Sequence, residues 1–275
     1  MDFQNLGKRA AVALIGVPLV LICSMQGGLL FFLLVTAIAL GSAEEFLRMA
    51  KVKNGQPRRS VVFFGIVCIF LLTYINQTEM ILPFLTFFAI LLFASEVARS
   101  GNNAIVDSCV ALFAVGYFGG LFSYLLAVRE LPALVDVPYH AGGEWIILIL
   151  VSIWICDTAA YLVGTLYGER KLAPSVSPNK TVEGALGGIV GGMASALLCS
   201  LVFVPDISAW HALVIGLLAG IFGQMSDLVE SMFKRDAGVK DSSNLLPGHG
   251  GVWDRFDSEV LAVPVIYYYI RFIVF

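Results

Sequence analysis

The sequence predicts an all-α, polytopic integral membrane protein of about nine transmembrane helices, with its N-terminus in the cytoplasm. Three observations lead there. First, 59 % of the 275 residues are hydrophobic and only 13 % are charged, whereas soluble domains carry about 25 % charged residues. Second, apolar runs of bilayer-crossing length, about 20 residues, recur from one end of the chain to the other. Third, 15 of the 17 lysines and arginines fall on one side once those runs are laid out as spans, and positive charge is retained in the cytoplasm. A net charge of −3 offers no field for nucleic acid.

The runs are expected at 10–26, 28–47, 60–77, 79–98, 104–127, 144–167, 184–204, 209–232 and 258–275. Lys8 and Arg9 precede the first, which is read as a span rather than a cleaved leader. None alternates as a membrane barrel strand does, so the backbone polar groups must be paired within helices. The basic residues lie before span one and after spans two, four, six and eight, while Arg129 and Arg271 fall on the opposite side. No linker divides the chain, and residues 1–275 read as a single transmembrane domain. Its segments 168–183 and 233–257 are expected to be cytoplasmic loops forming the rim of an active site. A reporter at Ser242 is therefore expected to face the cytoplasm. Glycines 184, 187, 188, 191 and 192 form a stripe suited to close helix packing. The five cysteines sit singly in apolar runs and read as small core hydrophobes. The three histidines have no metal-ligand spacing.

Ionisable groups within spans are costly, about 2.5–3.5 kcal/mol on insertion scales, and point to function. Asp157 interrupts span six, Asp227 and Glu230 lie late in span eight, and Asp254 and Asp257 precede span nine. Glu44, Glu45 and Glu96 stand at span ends beside arginines, where interfacial placement accounts for them. Asp227 and Ser231 are one helical turn apart and share a face. Asp254 or Asp257 also suits the cap of the last helix. Together, Asp227, Asp254, Asp257 and Ser231 form an oxygen-donor set appropriate to magnesium, which shares its shell with phosphates.

Around these acids stand Lys234, Arg235, Lys240, Asp241 and Arg255, and "PGHGG" places His249 among turn glycines, with Gly250 and Gly251. Glycine turns let backbone N–H groups approach phosphate. A second polar segment, "GERKLAPSVSPNKTVEGALGG", adds Lys180 and Glu183, with Thr181 placed to cap span seven. An ion-coupled transporter is the rival class. It is disfavoured because no internal repeat is seen and the acids gather at one rim.

The stretch "SMFKRDAGVKDSSNLLPGHGGVWDRFD", Ser231 to Asp257, resembles the hallmark of phosphatidate cytidylyltransferases, also called CDP-diacylglycerol synthases. "SVSPNKTVEG" is similar to a second element of that family, with Val182 where an aromatic residue is common. The resemblance implies that CTP and phosphatidic acid are converted to CDP-diacylglycerol and pyrophosphate in phospholipid biosynthesis. It implies Asp227, Asp254 and Asp257, with Ser231, around a magnesium ion and a second, monovalent or divalent cation. Lys234, Arg235, Lys240, Arg255 and His249 would serve the reacting phosphates. Lys180, Glu183, Asp157, Ser231, Asp241, Gly250 and Gly251 would bind substrate. It further implies a bacterial-type cytoplasmic (inner) membrane, an active site facing the cytoplasm, membrane lipids as neighbours and a homodimer as one option. A related enzyme using CTP on another lipid phosphate or alcohol is the closest alternative.

Overall fold

A backbone in hydrocarbon finds no partner for its N–H and C=O groups outside its own helix, and the apolar runs fold accordingly. The computed structural model describes residues 3–99, 103–243, 245 and 250–275, with side chains from residue 14 onward. The chain begins with α1 (Phe3–Gln26), α2 (Gly28–Val52), α3 (Arg59–Tyr74) and α4 (Ile81–Arg99). Next, α5 (Ala104–Ala114) continues through a π-helical stretch, Val115–Leu121, into α6 (Tyr124–Glu130). The short α7 (Pro132–Val135) leads into α8 (His140–Tyr167). A hairpin of β1 (Lys171–Ala173) and β2 (Ser177–Thr181) connects α8 to α9 (Val182–Val202). The chain closes with α10 (Ala209–Asp236), α11 (Trp253–Phe256) and α12 (Glu259–Tyr269), the last running into a π-helical end, Ile270–Val274.

Among the described residues, six helical segments are long and apolar enough to cross a bilayer: Gly28–Val52, Thr78–Arg99, Ala104–Glu130, His140–Tyr167, Val182–Val202 and Ala209–Asp236. Shorter apolar helices cover Leu14–Gln26 and Arg59–Tyr74. The protein is an integral membrane protein, almost wholly helical.

The glycine stripe packs as its spacing predicts. A Cβ on Gly188 would lie 2.9 Å from the Ala160 methyl, and one on Gly216 would lie 2.6 Å from the backbone of Met193. Hydrogen there lets α9 sit directly against α8 and α10. Cys23, Cys156 and Cys199 are buried as small hydrophobes, whereas Cys109 is exposed on α5.

The hairpin is the departure from the expected loops. Its strands pair antiparallel, Lys171 opposite Thr181 and Ala173 opposite Ser177. "KLAPSVSPNKT" lacks the apolar alternation that marks a strand. Thr181 then caps α9, its Oγ1 accepting from the Gly184 amide at 3.1 Å.

Trp253 anchors the late loop. The side chain is fully buried, its ring centroid 5.0 Å from that of Phe118 and 6.0 Å from those of Phe46 and Tyr117. Phe233 of α10 completes the nest at 6.2 Å. A four-residue helix is too short to hold itself, and α11 takes its position from this packing.

Candidate active site

Polar side chains from α8, the hairpin, α10 and α11 meet at one end of the bundle. Asp157 projects from α8, where the span would otherwise be apolar. Lys180, on β2, reaches Asp227 of α10 with Nζ 2.5 Å from Oδ2. One turn further along α10, Ser231 Oγ lies 3.4 Å from Asp227 Oδ1. Glu230, fully buried, pairs with Lys234, whose Nζ also donates to Asp254 Oδ1 at 2.7 Å. Periodicity explains this placement, because residues three and four apart share a helix face.

Carboxylate oxygens of Asp227, Glu230 and Asp257 all lie within 4.8 Å of one another. Asp257 sits just ahead of α12. Burial, and then the negative charges of Asp227 and Asp157, push its carboxyl up to about 8. Acids outnumber Lys180 and Lys234 here, and the donors are all oxygens. Such a set fits a hard divalent cation, which would offset the repulsion.

Asp254 is engaged differently. Its Oδ2 accepts from the Ser242 amide at 3.0 Å and the Gly251 amide at 2.7 Å, and lies 2.9 Å from Ser242 Oγ, whose one hydroxyl proton points to the shorter contact with Glu45. Burial opposes the charged form, but contacts from Glu230, Lys234 and the Gly251 amide outweigh it and hold this carboxyl well below the usual range. Asp254 therefore shapes the loop in this structure, while Glu230 stands beside Asp227 and Asp257. Gly250 adopts φ +82°, and a side chain on Gly251 would collide with Ser242 and Glu45.

The remaining candidates divide. Arg255 lines both cavities described below and has no side-chain partner among the described residues. Arg235 donates to the carbonyls of Val239 at 3.0 Å and Val176 at 3.3 Å, tying the hairpin turn to the end of α10. Glu183 Oε2 accepts the Glu169 and Arg170 amides at 3.1 Å, closing the turn after α8. Asp241 borders the polar cavity. Lys240 is exposed and borders neither cavity. His249 lies outside the described residues. Ser242, expected as an accessible reporter, is buried between Glu45 and Asp254.

Two cavities share this cluster. One, of about 670 Å³, is polar and is bordered by Lys180, Asn179, Thr181, Asp227, Lys234 and Asp241. The other, of about 450 Å³, is walled by Val17, Val20, Leu34, Ile38 and Ile153, with Glu259 at its polar end. Asp157, Asp254, Arg255 and Asp257 border both.

The family model of the cytidylyltransferase family matches residues 7–273. This chain belongs to the cytidylyltransferase family. It is 33 % identical over 262 residues to a phosphatidate cytidylyltransferase of Staphylococcus saprophyticus, covering 94 % of this chain and 96 % of the relative. The identity is 31 % to proteins of that name from Staphylococcus epidermidis, over 260 residues, and Staphylococcus aureus, over 261, with the same coverage. As a cytidylyltransferase it is a nucleotidyl-transferring enzyme.

Two groups escaped sequence reasoning. Glu230 was visible as an intramembrane acid, but its convergence with Asp257 depends on how α10 meets α11. Glu45 was assigned to the interface and is instead 3 % exposed, bound to the late loop. Its signal was the spacing of Leu34, Ile38, Gly41 and Glu45, one face of α2.

Proposed function

We propose that this enzyme is a phosphatidate cytidylyltransferase, joining CTP and phosphatidic acid to form CDP-diacylglycerol and pyrophosphate. The observation that carries the reading is the meeting of a polar and an apolar cavity at Asp157, Asp254, Arg255 and Asp257. A water-borne triphosphate suits the first and the acyl-bearing glycerol of a lipid suits the second. The names of the relatives support the same assignment.

In the reaction, an oxygen of the lipid phosphate attacks the α-phosphorus of CTP. A new P–O–P bond forms as the bond to pyrophosphate breaks. A phosphate monoester has its second pKa near 6, at about the value for phosphorylated side chains, so the nucleophile needs no strong base. Catalysis then rests on positioning and on neutralising charge. Arg255, without a side-chain partner among the described residues and at the shared wall, is placed to bridge the two phosphates. Lys180 and Lys234, held by Asp227, Glu230 and Asp254, present fixed positive charge to the polyphosphate. Asp227, Glu230 and Asp257, with Ser231 alongside, would hold magnesium, which supplies further neutralisation of the triphosphate.

Nine spans with a cytoplasmic N-terminus belong to this proposal. Leu14–Gln26, Arg59–Tyr74 and the α12 segment would add to the six long helices. Segments 168–183 and 233–257 would then form the cytoplasmic rim of a single domain in the bacterial cytoplasmic membrane. The ion pair of Lys53 with Asp236 at 2.9 Å supports a common side for the basic loops. The test is incubation of purified protein with labelled CTP and, separately, phosphatidic acid, an isoprenoid phosphate and diacylglycerol, followed by thin-layer chromatography. Label in CDP-diacylglycerol is the expected result. Label in another lipid instead would transfer the chain to a related enzyme, and no labelled lipid would refute the reading.

A further inference from the structure

Glu45 has the partners of a built anchor rather than those of an interfacial acid. Its Oε1 accepts from Ser243 Oγ at 2.6 Å and the Val252 amide at 2.8 Å. Its Oε2 accepts from Ser242 Oγ at 2.8 Å and the Trp253 amide at 2.9 Å. Four donors fill the lone-pair capacity of a carboxylate, and all four come from the late loop. Glu44, the preceding residue, faces outward to Arg48 at 2.8 Å and Arg59 at 3.1 Å.

We propose that Glu45 is a positioning residue of the cytidylyl transfer, setting α11 and hence Arg255 and Asp257 against the acids of α10. The inference rests on the reaction proposed above. Trp253 fixes where α11 sits, but an aromatic ring in an apolar nest does not fix the direction of the backbone beside it. Two backbone amides held by one carboxylate do. Ser242 extends the contact, its Oγ lying 2.8 Å from Glu45 and 2.9 Å from Asp254. Asp254 continues to Lys234 and Lys234 to Glu230. A continuous polar chain thus runs from α2 to the acid cluster. Gly251 admits this closeness because any side chain there would strike both Ser242 and Glu45.

The geometry also selects glutamate. Aspartate is one methylene short of the loop. Glutamine has one oxygen and one NH2 group, so in either orientation it turns a donor toward a backbone N–H, while the serine hydroxyl beside it can rotate and accept. One of the two backbone amide bonds is lost, and that amide faces a donor, with almost no change in volume. The same face of α2 carries Leu34 and Ile38 to the apolar cavity, and Gly41 lies beside Val252, whose Cγ2 would be in ordinary van der Waals contact, 3.5 Å, with a Cβ there. One helix face therefore walls the apolar cavity and orients the catalytic loop.

The experiment uses full-length protein in nanodiscs, comparing the parent with Glu45→Gln, Glu45→Asp and Glu44→Gln. In Glu45→Gln, kcat is expected to fall roughly ten- to hundred-fold, the scale of a small misplacement of reacting groups, with a smaller change in KM for CTP. Hydrogen exchange in peptides covering 250–256 is expected to rise about ten-fold, while α8 and α9 keep their protection. Glu45→Asp should show the same pattern and Glu44→Gln should match the parent. Parental kcat in Glu45→Gln, unchanged exchange at 250–256, or faster exchange throughout all helices would each overturn the assignment. Should Glu45→Gln fail to fold, Ser243→Ala removes one of the four donors and takes over the test. It should lower kcat a few-fold, and parental kcat with parental exchange would again overturn the assignment. A parent that makes no CDP-diacylglycerol would defeat the proposed reaction, leaving the exchange result to judge the anchor.

Discussion

Replacing Arg255 by lysine isolates what a guanidinium does at the wall between the two cavities. Arg255 is exposed to both spaces, and its side chain makes no hydrogen bond or ion pair among the described residues. The fold therefore loses nothing specific when it changes, and stability should stay within about 0.5 kcal/mol, as for ordinary surface substitutions. Its phosphate contacts are another matter. A bidentate guanidinium makes two charge-assisted hydrogen bonds, each contributing about 1.5–3 kcal/mol. Lysine keeps the charge and one such bond. The expected loss is about 1.5–3 kcal/mol, or roughly 10- to 150-fold in kcat/KM. Methionine removes both bonds and the charge, for a loss on the order of 10²- to 10⁴-fold. The assay is CTP-dependent pyrophosphate release at varied CTP and phosphatidic acid, with thermal unfolding in parallel. Arg255→Lys turnover within two- or three-fold of the parent would show that the guanidinium geometry plays no part. Equal losses in activity and unfolding temperature would show that the residue acts through stability.

The acid cluster predicts that EDTA abolishes turnover and magnesium restores it. Asp227→Asn, Glu230→Gln and Asp257→Asn should each lower turnover about hundred-fold or more and shift the magnesium titration. Retained activity with an unchanged titration in all three would remove the cation from the mechanism. Because Ser242 is buried, the topology test belongs at Leu245, which is 65 % exposed. Leu245→Cys should react with impermeant thiol reagents only from the cytoplasmic face, and labelling from the other face would reverse the orientation. Trp253→Ala empties the aromatic nest and should cost about 3–5 kcal/mol of stability, on the scale of buried aromatic truncations. An unchanged unfolding midpoint in detergent would deny the nest its anchoring role.

The helices were legible because a bilayer imposes a length, and a run of apolar residues records it directly. Expected runs at 104–127 and 209–232 correspond to helical segments Ala104–Glu130 and Ala209–Asp236. Glycine packing was equally readable, since the spacing of Gly184, Gly188 and Gly192 places them on one face. The hairpin was hidden because its strands are held by backbone pairing and not by an apolar face. Within the site, the approach of Asp227 to Lys180 could be suspected from charge, but the distinct employment of Asp254 could not. Its partners Ser242 and Gly251 are ordinary loop residues until the chain turns back on itself. Glu45 was concealed by Glu44, since adjacent acids look alike in sequence while pointing to opposite environments in a helix.

The wall common to the two cavities also bears on how the enzyme lets go of what it makes. On the proposed assignment, CTP would occupy the polar compartment and phosphatidic acid the apolar one, and each would surrender its own translational freedom on binding. CDP-diacylglycerol would then span both compartments as one molecule, with each half tethered at high effective concentration beside its own subsite. Such a bivalent product is retained more strongly than either reactant alone, whereas pyrophosphate, confined to the polar side, has no tether. The expected order is pyrophosphate first and the lipid last, with turnover set by withdrawal of the nucleotide head from between Arg255 and the acids. A downstream enzyme that draws CDP-diacylglycerol from the bilayer would prevent its rebinding but would leave the rate of this withdrawal unchanged.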